Sequence, residues 1–352
     1  MPSSLVLSID AMGGDHAPES VVGGAAEFLK GRRRAVTFLL HGDAARLEPL
    51  LQKYPELQAA SEIRHTESEV DMSAKPSEAV RRSRGSSMWN AVQSVKAGEA
   101  NVAVSAGNTG ALMAISKVIL RMKKGVHRPA IAASWPAPSG FSTVLDVGAN
   151  VEITPSQLVE FAVLGESFHR AVHGVERPTV GLLNVGQEEL KGSQIIRDAD
   201  ALMREAGLDM DYRGYVEGDD ISAGTTNVVV TDGFTGNVAL KTAEGTARLV
   251  GGWLREALTG SLTGKIAGAI LSLAALHGLK AKMDPRNVNG GVFLGLNGVV
   301  VKSHGGTDAA GFATALRIAL ELADSRFLTE IEKNLATLGE IDQQHAARSA
   351  EG

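Results

Sequence analysis

Short apolar runs of three to five residues recur along the chain, separated by longer stretches in which apolar positions return every three or four residues. The short runs are Leu5 to Ile9, Val36 to Leu40, Val102 to Ser105, Ala130 to Ser134, Thr143 to Leu145, Thr179 to Leu183, Val228 to Thr231 and Val299 to Val301. Most are continuously apolar rather than alternating, the pattern of strands covered on both faces. The longer stretches predict helices over Pro18 to Lys30, Pro76 to Lys96, Thr109 to Met122, Pro155 to His173, Ser193 to Ala206, Asn237 to Leu258 and Asp308 to Leu338. Pro18, Pro76 and Pro155 sit where a first-turn proline is tolerated. The alternation predicts a three-layer α/β/α sandwich with a mostly parallel sheet.

No linker or fixed-period repeat divides the chain, so 1–340 reads as one domain and 341–352 as a disordered polar tail. The segment from Gly260 to Met283 breaks the alternation. Ile266, Ile270, Leu271, Leu273, Leu276 and Leu279 are flanked by Lys265, Lys280 and Lys282, too short a run to span a bilayer. A projecting helical hairpin over 260–285 is expected, serving either a dimer contact or a membrane surface.

Charge and composition narrow the function. Lys and Arg number 35 and Asp and Glu 40, a formal net charge of −5. A mildly acidic chain argues against a nucleic-acid binder. Cysteine is absent, which removes disulfides, thiolate metal sites and a Cys nucleophile. The N-terminus opens on a strand-like stretch without a leader, so a cytoplasmic chain is expected. The 40 glycines suit a backbone that approaches small ligands closely.

In open α/β sheets ligands gather beyond the carboxyl ends of strands. The residues there are Asp10, Gly13, Gly14 and His16; Gly107, Asn108, Thr109 and Gly110; Asp146, Gly148 and Asn150; Asn184, Gly186 and Lys191; Asp232, Thr235, Gly236, Asn237 and Lys241; and Lys302, His304 and Thr307. Six such ends, each opening a helix, predict a phosphate or carboxylate site. Neither a GxGxxG fingerprint nor a GxxxxGK[ST] loop is present in them, so a nucleotide-dependent oxidoreductase or ATPase lacks its usual loop.

The strings IDAMGGDHAP (Ile9 to Pro18), VSAGNTGALM (Val104 to Met113), LDVGANV (Leu145 to Val151), VGLLNVGQEELKG (Val180 to Gly192) and TDGFTGNVALKTAEG (Thr231 to Gly245) resemble, in this order, the bacterial phosphate acyltransferase (acyl-acyl-carrier-protein:phosphate acyltransferase) family. The resemblance runs from about Leu5 to Leu322. It implies transfer of a long-chain acyl group from acyl carrier protein to inorganic phosphate, giving an acyl phosphate for phospholipid synthesis. It also implies a Rossmann-type sandwich related to isocitrate and isopropylmalate dehydrogenases, a homodimer, no metal or organic cofactor, and a membrane-bound glycerol-3-phosphate acyltransferase as consumer of the product. The chain departs from the family pattern at Asn287 to Val292, and at Gly306, where the family has a hydroxyl residue.

Under that resemblance Lys191 and Lys241 are expected to meet phosphate charge, with Gly107, Asn108, Thr109, Thr235, Gly236 and Asn237 supplying donors. His16 or His304 would assist proton movement, and Asp10, Asp146, Asn150 and Asp232 would orient these groups. Other readings stay open. Lys241 could pair with Glu244 on a helix surface, Asp146 and Asp232 could be cap or turn residues, and His304 could be structural. His169 and His173, four apart, read as a helix-face pair rather than a zinc site, lacking the HExxH glutamate. Arg81, Arg82 and Arg84 form a basic cluster suited to an acidic carrier. The rival functions are a phosphotransacetylase-like enzyme using acyl-coenzyme A, a decarboxylating dehydrogenase, and a non-catalytic scaffold of lipid synthesis.

Overall fold

The apolar runs pair into one 11-stranded sheet in the order β3-β2-β1-β4-β11-β10-β5-β6-β9-β7-β8. The structure is a computed structural model that describes residues 5–30, 35–259 and 290–324, with 327, 331, 332 and 335 beyond them. The hairpin expected over 260–285 and the tail at 341–352 lie outside the described residues.

In chain order the elements are β1 Leu5–Asp10, α1 Glu19–Leu29, β2 Val36–Gly42, α2 Ala44–Leu51, α3 Pro55–Ala59, β3 Ser61–His65, α4 Pro76–Arg82, α5 Ser87–Lys96, β4 Val102–Ser105 and α6 Thr109–Leu120. There follow β5 Ala130–Ala137, β6 Gly140–Leu145, α7 Pro155–His173, β7 Thr179–Leu183, α8 Gln194–Glu205, β8 Asp211–Val216, α9 Gly218–Ala223 and β9 Val228–Val230. The last are α10 Gly233–Thr259, β10 Gly291–Leu294, β11 Val299–Lys302 and α11 Ala309–Asp324.

Successive residues of each strand serve opposite faces of the sheet. On one face Leu145, Val228 and Val230 join Phe161 and Phe168 of α7 and Phe312 of α11. On the other, Val144, Val229 and Val300 join Met88 and Val92 of α5 and Leu112 and Ile115 of α6. Burying both faces accounts for the continuous apolar runs.

The stretch expected as one helix over Pro76 to Lys96 is two helices. Gly85 takes φ +82, a left-handed conformation that ends the first helical path, and Ser86 caps α5 by accepting the Trp89 N–H. Pro76 and Pro155 occupy first-turn positions, and α7 carries a capping box between Thr154 and Gln157. Pro18 stands one position earlier, at the N-cap of α1.

Candidate active site

Strand direction decides which polar loops can meet. β10 is antiparallel to both β11 and β5, and β5 is antiparallel to β6. Three reversals make β6, β9, β7 and β8 run opposite to β3, β2, β1, β4 and β11. The six strand-end loops therefore do not share one edge, as an all-parallel reading expects. They form two groups that approach from opposite directions, and the register Val301–Val292–Ala132–Leu145 sets the ends of β11 and β6 at one level, so the groups face each other.

The first group follows β1, β4 and β11. Asp10 is 1% exposed, and its Oδ2 accepts the Ser105 hydroxyl at 2.6 Å. Ser105 Oγ in turn accepts the Gly107 N–H at 3.0 Å, so that donor is engaged within its own loop. Burial raises the Asp10 carboxyl above the usual carboxylate range; Ser105, Ser87 and Met12 counteract it in part, yet Oδ1 makes no well-formed hydrogen bond. Asn108 caps α6 by accepting the Ala111 N–H at 2.9 Å, and its amide donates to the carbonyls of Met72 (2.7 Å) and Ala74 (3.2 Å). Asn108 is thus a latch that holds the loop before α4 over the start of α6. Thr109 opens that helix and is exposed, as is His16 on the loop after β1.

The second group follows β6 and β9. Asp146 is fully buried and accepts five hydrogen bonds: from the N–H groups of Ile131 (3.1 Å), Gly148 (3.1 Å), Ala149 (3.0 Å) and Asn150 (2.7 Å), and from the Asn150 amide (2.8 Å). Burial raises its pKa and these donors lower it in part. Asn150 also donates to the Pro129 carbonyl at 2.8 Å. Asp232 accepts both the N–H (2.8 Å) and the hydroxyl (2.6 Å) of Thr235, closing the first turn of α10. Gly236 is pressed against the loop: a Cβ there would lie 2.0 Å from the Asp146 carbonyl oxygen. Lys191, on the loop after β7, pairs with Glu188 at 2.9 Å; that bond raises the lysine and lowers the glutamate.

Helix α10 joins the two groups. Asn237 is exposed and lies over Gly148 of the second group. One turn on, about 5.4 Å along the axis, the Lys241 ammonium stands 3.5 Å from His304 Nε2 of the first group. Lys241 also reaches Glu244 at 3.2 Å, so the surface pairing and the contact with the first group coexist. His304 is lowered by burial first and by Lys241 second. The result is a junction of loops from both halves of the sheet, bridged by two polar side chains of one helix face. Its donors, one lysine and one imidazole suit an oxyanion.

The sequence places Lys302 at a strand end among the candidate loops but gives it no role of its own. Lys302 ends β11, is 9% exposed, and burial pulls its ammonium down to about 8. Its one cue in the sequence is a lysine closing the apolar run Val299 to Val301. His169 and His173 lie elsewhere, bonded to the Thr143 hydroxyl at 2.9 Å and the Ser134 hydroxyl at 3.0 Å. Among the described residues no group of three His, Cys, Asp or Glu is placed to hold a metal ion, and no helix is long and apolar enough to cross a membrane.

Residues 5–330 match the family model described as fatty acid synthesis protein. Among curated proteins, a phosphate acyltransferase of Maricaulis maris is 62% identical over 98% of each chain. One from Caulobacter vibrioides is 57% identical over 96% of this chain and 93% of its own. Among solved structures, a phosphotransacetylase from Streptococcus pyogenes superposes with a TM-score of 0.62 at 17% identity, covering 92% of this chain and 95% of its own. A branched-chain phosphotransacylase from Enterococcus faecalis gives 0.58 at 15%, covering 92% and 100%. These two are likenesses of fold.

Proposed function

Because the chain belongs to the phosphate acyltransferase family, we propose that it moves a long-chain acyl group from acyl carrier protein to inorganic phosphate. The observation that carries the site assignment is the meeting of Asn237 and Lys241 with loops from both halves of the sheet. An oxygen of the hydrogenphosphate dianion attacks the thioester carbonyl, the C–S bond breaks, and the one remaining P–OH proton passes to the departing thiolate. Phosphate near neutrality is already largely dianionic and the leaving thiol has a pKa of about 8.5, so strong acid or base help is unnecessary. The residues hold the dianion and offset charge on the tetrahedral oxyanion. Lys241 meets phosphate, Asn237 donates to the oxyanion, and His304, held neutral by burial and Lys241, relays a proton or donates a hydrogen bond. In this scheme Lys191 exchanges Glu188 for the substrate. Asp146, Asn150 and Asp232 keep the loops in place.

The carrier is acidic by this reading, and exposed Arg81, Arg82 and Arg84 stand on and after α4, beside the loop that Asn108 latches to the site. Reversing these three charges is expected to raise KM for the carrier-bound substrate severalfold with kcat little changed; an unchanged KM rejects the docking surface. The chain works as a cytoplasmic homodimer with peripheral membrane contact, handing acyl phosphate to a membrane-bound glycerol-3-phosphate acyltransferase. Exposed Phe234, Val238, Leu249 and Trp253 along α10 are the apolar surface that supports association.

The assay supplies palmitoyl-acyl carrier protein and phosphate, follows the released carrier thiol, and traps acyl phosphate with hydroxylamine. Phosphate-dependent formation of both is expected. Thiol release without trappable acyl phosphate, or turnover with acyl-coenzyme A alone, overturns the proposal.

A further inference from the structure

Lys302 carries a charge into the protein interior with no carboxylate in hydrogen-bond contact with it among the described residues. Its two hydrogen-bond partners are carbonyl oxygens, those of Ala106 at 3.3 Å and of Ser303. Each belongs to a loop that leads from a strand into a helix, the first into α6 and the second into α11. The same two loops are tied by the Ser303 N–H to the Ser105 carbonyl at 2.9 Å, and the loop after β1 joins them through the Asp15 N–H to the Gly305 carbonyl at 2.9 Å. The backbone already holds these loops together. An apolar residue would end β11 at less desolvation cost than a buried ammonium, so the charge calls for a use beyond cohesion.

We propose that Lys302 is a positioning residue for phosphate at this junction, a fixed positive charge behind the loops 105–109 and 303–307 that shapes them into a seat for the dianion. The inference rests on the phosphate-acyltransferase reading above. Lys241 closes the seat from the α10 side, 3.5 Å from His304 of the 303–307 loop. The charged and titratable groups facing Lys302 are Asp10 of β1, Asp15 of the following loop, Lys241 of α10 and His304 of its own loop. Burial and Lys241 pull its ammonium down and the two aspartates push it up, leaving it at about 8. Its charge is therefore present at pH 7 and largely gone by pH 9.

The test measures phosphate binding by the full chain as a rise in Tm, titrating potassium phosphate against potassium chloride at matched ionic strength. At pH 7 the wild type is expected to gain stability with phosphate, and Lys302→Met to weaken the apparent Kd for phosphate at least about tenfold. Lys302→Arg, charged throughout, is expected to keep binding to pH 9, while wild-type affinity falls as pH passes through about 8. Phosphate's own second ionisation works in the opposite direction, so it cannot imitate this fall. Wild-type affinity that holds or rises from pH 7 to 9 overturns the proposal even if Lys302→Met fails to fold. So does a folded Lys302→Met that binds phosphate like the wild type, or a wild type indifferent to phosphate. Lys302-dependent phosphate binding without acyl phosphate production in the carrier assay would defeat the functional reading and leave this assignment standing. Normal turnover with binding indifferent to Lys302 would do the reverse.

Discussion

Asp10 and Asp146 are the same residue type at matching places, each buried at the carboxyl end of a strand in its own half of the sheet. Their surroundings differ sharply. Asp146 accepts five hydrogen bonds and has no capacity left for a ligand. Asp10 accepts one well-formed bond, from Ser105, and leaves Oδ1 without a partner while sharing its neighbourhood with the buried Lys302 ammonium. A buried carboxylate with every lone pair used is a structural hub; one left short of donors beside a cation is held in a costly state that cohesion alone does not explain. The first half of the sheet therefore carries the electrostatic tension of the site, and the second half supplies its rigid wall.

The largest expected effect comes from breaking the hub. Asp146→Ala leaves several buried N–H groups without an acceptor and is expected to destabilise by about 3 to 5 kcal/mol; a melt within about 1 kcal/mol of wild type would remove the contrast. Gly236→Ala should follow, at about 2 to 3 kcal/mol, because its Cβ would lie 2.0 Å from the Asp146 carbonyl and the start of α10 must shift. It should also lower acyl phosphate production, since Asn237 and Lys241 ride on that turn.

Asp10→Asn sharpens the comparison from the other side. Asn keeps an oxygen for the Ser105 hydroxyl, so stability should fall clearly less than in Asp146→Ala, while activity falls at least about tenfold because the field around Lys302 changes. Equal and large losses of stability at both aspartates would erase the distinction.

Acid adds a smaller effect. Burial holds His41, His169 and His173 at about 4, 3 and 4, below the ordinary imidazole value of 6.5. The unfolded chain then binds more protons, so these groups leave stability intact above pH 6.5 and erode it as pH falls toward 4. The raised carboxyls of Asp10 and Asp146 work the opposite way, favouring the folded state at low pH. With four lowered imidazoles, His304 included, against two raised carboxyls, Tm is expected to decline between pH 6.5 and 4; a flat profile would mean the histidines are better solvated than their burial indicates.

What was legible in the sequence follows the same physics. Central strands such as Val102–Ser105 and Val228–Val230 are buried on both faces, so their composition announces them. Ser61–His65 and Asp211–Val216 escaped notice because they are the two edges of the sheet, where charged residues belong. Gly291–Leu294 is central but only four residues long and begins on the second of two glycines, which read as a loop. Missing it and the Ala137–Gly140 reversal hid the change of strand direction, so six loops were placed on one edge instead of in two facing groups. Asn108 and Asp232 were found because caps and ligand contacts draw on the same residue types. Lys302 was seen at its strand end but given no role, because nothing local in a sequence reports burial.

The central claim is that one site is assembled from both halves across α10, and a double-mutant cycle on Asn237 and Lys241 tests it most directly. Phosphate-dependent acyl phosphate formation is measured for Asn237→Ala, Lys241→Met and the pair. Each single substitution is expected to lower kcat/KM at least about tenfold, with the double losing clearly less than the product, as residues acting on one bound reactant do. Wild-type kcat/KM in either single variant, or losses that multiply fully, would contradict a shared site.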